Sequence, residues 1–261
     1  MIEKLNDVSK SLPQPMGFRV TVLPSRPRML LIAQAAPENL ATAAGYAPLL
    51  DGLWLHGEDG IASPGVLPKT SGEMAGLAWG AYLDEAGQQD IAALAAAGCD
   101  VVVITPESSV AATYSTDKLG RVLRLEPSLG DDMLRTVNDL PVDAVLSGPP
   151  LLEGAISWRH LMTVQRLTNY LSKPLIVPAP LTLAENEVRA VWQAGADAIV
   201  VEIGAGDARA RLEALRAGID KLVNLPPRRR VKAEAFVPYV SRAAAPAGRE
   251  EPEEPEEPEE E

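Results

Sequence analysis

Four short runs in this 261-residue chain begin alike, with an aspartate, a small or apolar residue, and then an apolar stretch. They read "DGLWLHG" (51–57), "DVVVITPE" (100–107), "DAVLSGPP" (143–150) and "DAIVVEIG" (197–204). Four further apolar runs alternate with them: "MLLIAQ" (29–34), "LAWGAYL" (77–83), "RVLRLE" (121–126) and "PLIVPA" (174–179). Short, nearly continuous stretches of Val, Ile and Leu are what parallel strands need when both faces are covered. The aspartate-led runs take positions two, four, six and eight, as a repeated (βα)2 unit would place them. Eight parallel strands with crossover helices give an α/β fold, a single (β/α)8 barrel over 28–222.

The connecting segments fit that plan. "PENLATAAGYAPLL", "QQDIAALAAAG" and "ENEVRAVWQAG" read as amphipathic helices ahead of three of the aspartates. Gly98 and Gly195 sit where a helix ends in a left-handed residue. "DDMLRTVNDLP" precedes the remaining aspartate and stops at Pro141. The longest helix is expected over 156–171 with Ser157 as its N-cap. Connections after strands two and four are short in helix: "GEDGIASPGVLPKTSGEMAG" reads as a long loop and "SSVAATYSTDKLG" holds about two turns. Residues 1–27 are expected to cap the N-terminal end of the barrel, with "FRVTVLP" (18–24) as a plugging strand. Residues 223–245 form an arm on the outside, and 246–261 a disordered Glu/Pro tail.

The formal charge of −12 is a property of that tail. Nine glutamates lie in 250–261, which leaves about −3 for the rest of the chain. A nearly neutral body argues against nucleic acid as a partner. No apolar stretch reaches the roughly 20 residues that span a bilayer, and the start "MIEKLNDVSKSLPQPMG" lacks a signal-peptide core, so neither membrane nor secretion is expected. One cysteine, Cys99, fits a reducing cytoplasm and rules out an internal disulfide. Homo-oligomerisation stays open.

The "AGADAIVVEIG" unit, the preceding "KPLIVPAP" strand and the count of eight strands resemble the aldolase-type (β/α)8, or TIM-barrel, superfamily over residues 28–222. The resemblance implies an active site at the C-terminal mouth, built from inward side chains and the loops that follow them. Successive strand residues face opposite ways, and the phase that sends the larger β-branched residues to the helices turns Ala198, Val200 and Glu202 inward. The same phase selects Val122, Arg124 and Glu126, and offers Gln34, His56, Tyr82, Asp84 and Thr105 at other strand ends. Charges inside a barrel need partners. An ion-pair network of structural purpose and a ligand site are both compatible with them. In the ligand reading Arg124 anchors an anion and Glu126 orients it. His56, Glu202 and Tyr82 are the candidate catalytic groups. Gln34, Gly204 and Gly206 complete the substrate-binding set.

Other chemistries leave weaker traces. "IGAGDA" offers Gly204, Gly206 and an N-cap Asp207 to a phosphate. Strand seven, however, ends in Pro178 and Pro180, which have no N–H to donate. Carboxylates at Glu58, Asp59, Asp84, Glu85, Glu107, Glu126 and Glu202 would suit Mg2+ or Mn2+, yet no spacing defines a ligand set, so no metal residue is assigned. No strand carries a lysine for Schiff-base chemistry. His160 is expected at the surface or in packing. "PPRRRVK" (226–232) offers phosphate contacts, screening of the tail, or an oligomer contact. Three functions compete: a lyase or isomerase acting on a small anionic metabolite, a non-catalytic binding or assembly barrel, and a flavin-dependent oxidoreductase.

Overall fold

A computed structural model describes residues 1–10, 27–56, 72, 74, 76–83, 87–148, 156–204, 206–226 and 228. Eight parallel strands close in sequence order into a barrel. They are β1 (Leu30–Ala35), β2 (Gly52–Leu55), β3 (Trp79–Leu83), β4 (Val101–Ile104), β5 (Gly120–Leu125), β6 (Ala144–Ser147), β7 (Leu175–Pro178) and β8 (Ala198–Glu202). The seam between first and last strand runs from Leu30 opposite Ala198 to Gln34 opposite Glu202. Around them lie α2 (Leu40–Ala44), α3 (Gln88–Ala96), α4 (Val110–Thr113), α5 (Asp131–Thr136), α6 (Trp158–Tyr170), α7 (Glu185–Ala194) and α8 (Arg209–Lys221). The connection after β4 is short, as expected; that after β2 lies outside the described residues.

Strand alternation divides the core in two. Leu31, Ala33, Leu53, Val102, Leu123, Val145, Val177 and Val201 pack outward beneath the helices. Leu30, Ile32, Trp54, Val103, Val122, Leu146, Ile176 and Val200 fill the lumen. Gly98 and Gly195 end α3 and α7 with φ of 80° and 120°, the conformation that disfavours a Cβ. At Gly195 a Cβ would also collide with Thr168.

The four aspartates have one repeated task at the base of the barrel. The carboxylates of Asp51, Asp100, Asp143 and Asp197 accept the backbone N–H of Leu31, Trp79, Arg121 and Leu175, each at 2.8–3.0 Å. Each aspartate N–H returns a bond to the carbonyl of the same residue, at 2.8–2.9 Å. In each pair an N–H at the start of the odd-numbered strand, on its first or second residue, faces the residue that precedes the even-numbered strand. The short aspartate side chain supplies the acceptor, a charge-assisted bond of the 1.5–3 kcal/mol class, roughly. Asp51 also takes Arg216 from α8 at 2.9 Å, and the fully buried Asp197 takes Arg228.

The lumen is plugged from below by a helix, α1 (Ile2–Ser9). Leu5 is fully buried among the lumen residues, with Met1, Ile2 and Val8 packed on the same cluster. Inward glycines make the room. A Cβ on Gly52 would meet Met1, one on Gly120 would meet Ile2, and one on Gly80 would meet the Trp54 indole at 2.7 Å. The plugging strand expected at 18–24 lies outside the described residues, and α1 fills the base. The spacing Met1, Leu5, Val8 is that of a helix face.

Within the arginine run, Arg228 has partners in the barrel wall. Its guanidinium bonds the carbonyls of Trp192 and Ala196 at 2.8 and 2.7 Å and pairs with Asp197. One of the three arginines therefore clamps the end of α7 to the base of β8. No helix among the described residues is long and apolar enough to cross a membrane.

Candidate functional site

The C-terminal mouth inverts the character of the base. Trp54 is fully buried in the lumen and Tyr82 stands edge-on against it, ring centroids 5.8 Å apart. The two rings form an aromatic layer across the lumen below the strand ends. The strand ends over it carry Gln34 (β1), His56 (just past β2), Tyr82 (β3), Thr105 (just past β4), Arg124 (β5), Pro178 (β7) and Glu202 (β8), all in register with the lumen residues below.

On one side of the mouth the structure brings four of the expected residues together. Gln34 and Glu202 are register partners across the β1–β8 seam. The Tyr82 hydroxyl donates to Gln34 Oε1 at 2.9 Å, which turns the amide NH2 away from Tyr82. His56 packs edge-on against Tyr82, centroids 6.3 Å apart. Its Nε2 points to Glu202 Oε1 at 3.9 Å, beyond hydrogen-bond reach. That nitrogen is buried and has no hydrogen-bond partner, although the side chain as a whole is 36% exposed. An unsatisfied buried polar atom is uncommon enough to need a reason. The 3.9 Å gap is the base of a triangle whose apex, an oxygen about 2.8 Å from each atom, would bond both.

The opposite side is looser. Arg124 and Glu126 are exposed near the end of β5, and Glu126 accepts from the Ser128 hydroxyl at 3.3 Å. Thr105 bonds Ser108 through both its N–H and its hydroxyl, at 3.0 and 3.2 Å. Ser108 also donates to the Leu83 carbonyl at 3.4 Å, tying the ends of β3 and β4; the sequence reading did not single it out. Asp84, Glu85, Glu58 and Asp59 lie outside the described residues. Among the described residues no group of three His, Cys, Asp or Glu side chains is arranged to hold a metal ion.

The glycine turn after β8 differs from its expected form. Gly204 and Gly206 are exposed, neither has a positive φ, and no chain atom lies within 4 Å of where a Cβ would be. The N-cap of α8 is Ala208, one residue beyond Asp207. Asp207 nonetheless caps the helix through Oδ1, which accepts the Arg209 N–H at 2.9 Å and the Tyr46 hydroxyl at 3.3 Å. Tyr46 in turn accepts the Ala208 N–H at 3.3 Å. Sequence reasoning did not connect Tyr46 to this turn, because 161 residues separate it from Asp207. His160 belongs to the N-cap of α6, where its Nδ1 accepts from Ser157 N–H at 3.1 Å. Cys99 is buried under the barrel wall, and that burial pushes its thiol up to about 12, so it is inert as a nucleophile.

Neither a family model nor a curated relative matches the chain. Solved structures do. A variant of the tryptophan synthase alpha-subunit from the hyperthermophile Pyrococcus furiosus superposes with a TM-score of 0.57 at 14% identity, covering 75% of this chain and 98% of that one. Thiamine phosphate pyrophosphorylase from the same organism gives 0.56 at 13%, covering 74% and 96%. The tryptophan synthase complex of that organism gives 0.53 at 13%, covering 75% and 98%. At such identities the likeness is one of fold, and the fold is the (β/α)8 barrel.

Proposed function

We propose that the protein is a small-molecule enzyme of lyase or isomerase type, acting at the barrel mouth on a small anionic metabolite. The observation that carries the reading is the buried, unpartnered His56 Nε2 facing the Glu202 carboxylate across 3.9 Å. An acid and a base separated by the width of one oxygen suit proton transfer at a substrate hydroxyl or carbonyl. Glu202 accepts the proton of a bound hydroxyl, and His56 donates to or receives from the same oxygen as its charge changes. Deprotonating a hydroxyl while a neighbouring C–C bond breaks gives a lyase; moving a proton between adjacent carbons gives an isomerase. The amide NH2 of Gln34, oriented by Tyr82, is placed to bond a developing oxyanion. Arg124 holds the anionic end of the substrate with Glu126 beside it, and the bare turn at Gly204 and Gly206 keeps the rim low next to Glu202.

The test is a thermal-shift and native-mass screen of keto acids, hydroxy acids and phosphorylated sugars. A ligand that raises the melting temperature of the wild type and is lost with Arg124→Met supports the anchor. Its turnover should then fall about a hundredfold or more in both His56→Asn and Glu202→Gln. Turnover that survives in both removes the acid–base assignment.

A second reading has its own observation. The six exposed large apolar side chains among the described residues, Val110, Tyr114, Met133, Leu140, Trp158 and Met162, all fall on or just after three consecutive helices, α4 to α6. Trp158 is 82% exposed. Exposed apolar side chains gathered on one stretch of the outer wall are what an interaction surface uses, which supports an assembly role. A concentration-independent monomer by light scattering would count against it; an oligomer dispersed by Trp158→Asp would support it.

A further inference from the structure

We infer that the mouth takes hydroxy acids, with a neutral substrate hydroxyl between His56 and Glu202, and turns away the matching oxo and amino acids. This rests on the mouth being the ligand site, and it narrows what that site accepts. The two groups that face each other there have different hydrogen-bonding character. Glu202 ends β8 as a carboxylate, 64% exposed, and a carboxylate can only accept. A ligand atom beside it must therefore bring a proton. A second carboxylate brings none and adds a like charge; a ketone oxygen brings none either. The acid group of the substrate accordingly stays clear of Glu202, and the atom that enters is neutral.

His56 sets the other half of the requirement. Its buried Nε2 faces Glu202 Oε1 at 3.9 Å with no hydrogen-bond partner. A neutral imidazole carries its one proton on either nitrogen, and a carboxylate at this range favours the nitrogen that faces it. The Nε2–H then needs an acceptor, which Glu202 is too distant to be. An atom between the two must accept from His56 and donate to Glu202 at once. A hydroxyl does both, whereas an ammonium has protons and no lone pair. Gln34 disfavours an ammonium as well. It lies on β1, between the strands that carry Glu202 and His56, and its Oε1 accepts the Tyr82 hydroxyl at 2.9 Å. With the acceptor end of the amide engaged, the NH2 donor is the end left for a ligand. A donor suits an oxygen and is mismatched to a cation.

The chain has 2 histidines, so NMR of the full-length protein with labelled histidine can follow each imidazole nitrogen separately. His160, whose Nδ1 accepts the Ser157 N–H at 3.1 Å, is the internal control. Lactate, pyruvate, alanine and propionate are titrated as one set, varying only at the carbon next to the carboxylate. β-Hydroxybutyrate, acetoacetate, β-aminobutyrate and butyrate vary one carbon further on. In one set or both, the hydroxy acid should shift His56 Nε2 saturably and bind about tenfold tighter or more than its three relatives. Glu202→Gln keeps the size of an exposed side chain and offers a donor NH2 where only acceptors stood. The oxo acid should then gain on the hydroxy acid until the two bind within about threefold of each other. An oxo or amino acid that shifts His56 in the wild type as strongly as the hydroxy acid overturns the inference. So does a preference that survives Glu202→Gln unchanged. If no probe of either set moves His56, solvent alone meets the two groups and the inference falls as well. All of these are binding measurements, whereas the acid–base reading is judged by turnover, so each can fail while the other stands.

Discussion

The two ends of this barrel are built on opposite rules. At the base the same device occurs four times, an aspartate carboxylate closing an N–H at the start of the preceding strand. A helix then seals the lumen with Leu5. At the mouth the inward residues named at the strand ends all differ, from Gln34 and His56 to Pro178 and Glu202, and among the described residues one buried side-chain nitrogen, on His56, is left without a partner. Repetition with full hydrogen bonding is the mark of a part that holds the fold; irregularity with an unmet polar atom is what the proposed ligand site would require.

Substitutions can break or sharpen that contrast. The largest effect is expected at Asp197, which is fully buried and holds both the Leu175 N–H and Arg228. Asp197→Ala should cost roughly 3–5 kcal/mol in urea unfolding, since it strands a guanidinium and a backbone donor together. Leu5→Ala opens a cavity in the plugged lumen and should cost about 2–4 kcal/mol by the same measurement. At the mouth the sign reverses. His56→Leu removes an unsatisfied buried nitrogen and should leave stability unchanged or raise it by up to about 1 kcal/mol, while any ligand-induced thermal shift disappears. A large loss of stability there would make the His56 cluster part of the frame.

The smallest effect lies on the outer wall. The Asp131 carboxyl is held below its usual range by the Tyr170 hydroxyl first and the Arg166 guanidinium second. A carboxylate depressed in the folded state contributes stability above its unfolded pKa, and that contribution fades as pH falls through the folded value. Its NMR titration midpoint should lie below that of an ordinary aspartate and rise in Tyr170→Phe. The group is exposed, so unfolding curves near neutral pH should not register the change.

The same contrast explains what could be read from the chain. All eight strands were legible, because a buried parallel strand writes itself as a short apolar run, and the alternation placed Arg124 and Glu202 on the lumen side. The aspartate repeat was visible as a pattern, although its purpose appears only when Leu31, Trp79, Arg121 and Leu175 are seen opposite. The cap at the base was assigned to residues 1–27, but the helical spacing of Met1, Leu5 and Val8 was not singled out, and 18–24 lies outside the described residues. At the mouth the residue types were legible and their partnerships were not. Tyr82 meets Gln34 across 48 residues and Tyr46 meets Asp207 across 161, distances at which local periodicity carries no information. The position of a cap could be guessed; that its carboxylate also takes the Tyr46 hydroxyl could not.

The aspartate bonds also divide the chain. They join β1 to β2, β3 to β4, β5 to β6 and β7 to β8, and among the described residues no corresponding carboxylate bridges the intervening junctions in the same way. The barrel is in effect four clasped quarters laid side by side. A break in the polypeptide between β4 and β5 would leave every clasp intact within one fragment or the other, whereas a break one strand earlier would part Asp100 from Trp79. Two co-expressed halves cut at the first point would each carry their own fasteners, and new termini for a circularly permuted chain belong at the same junctions.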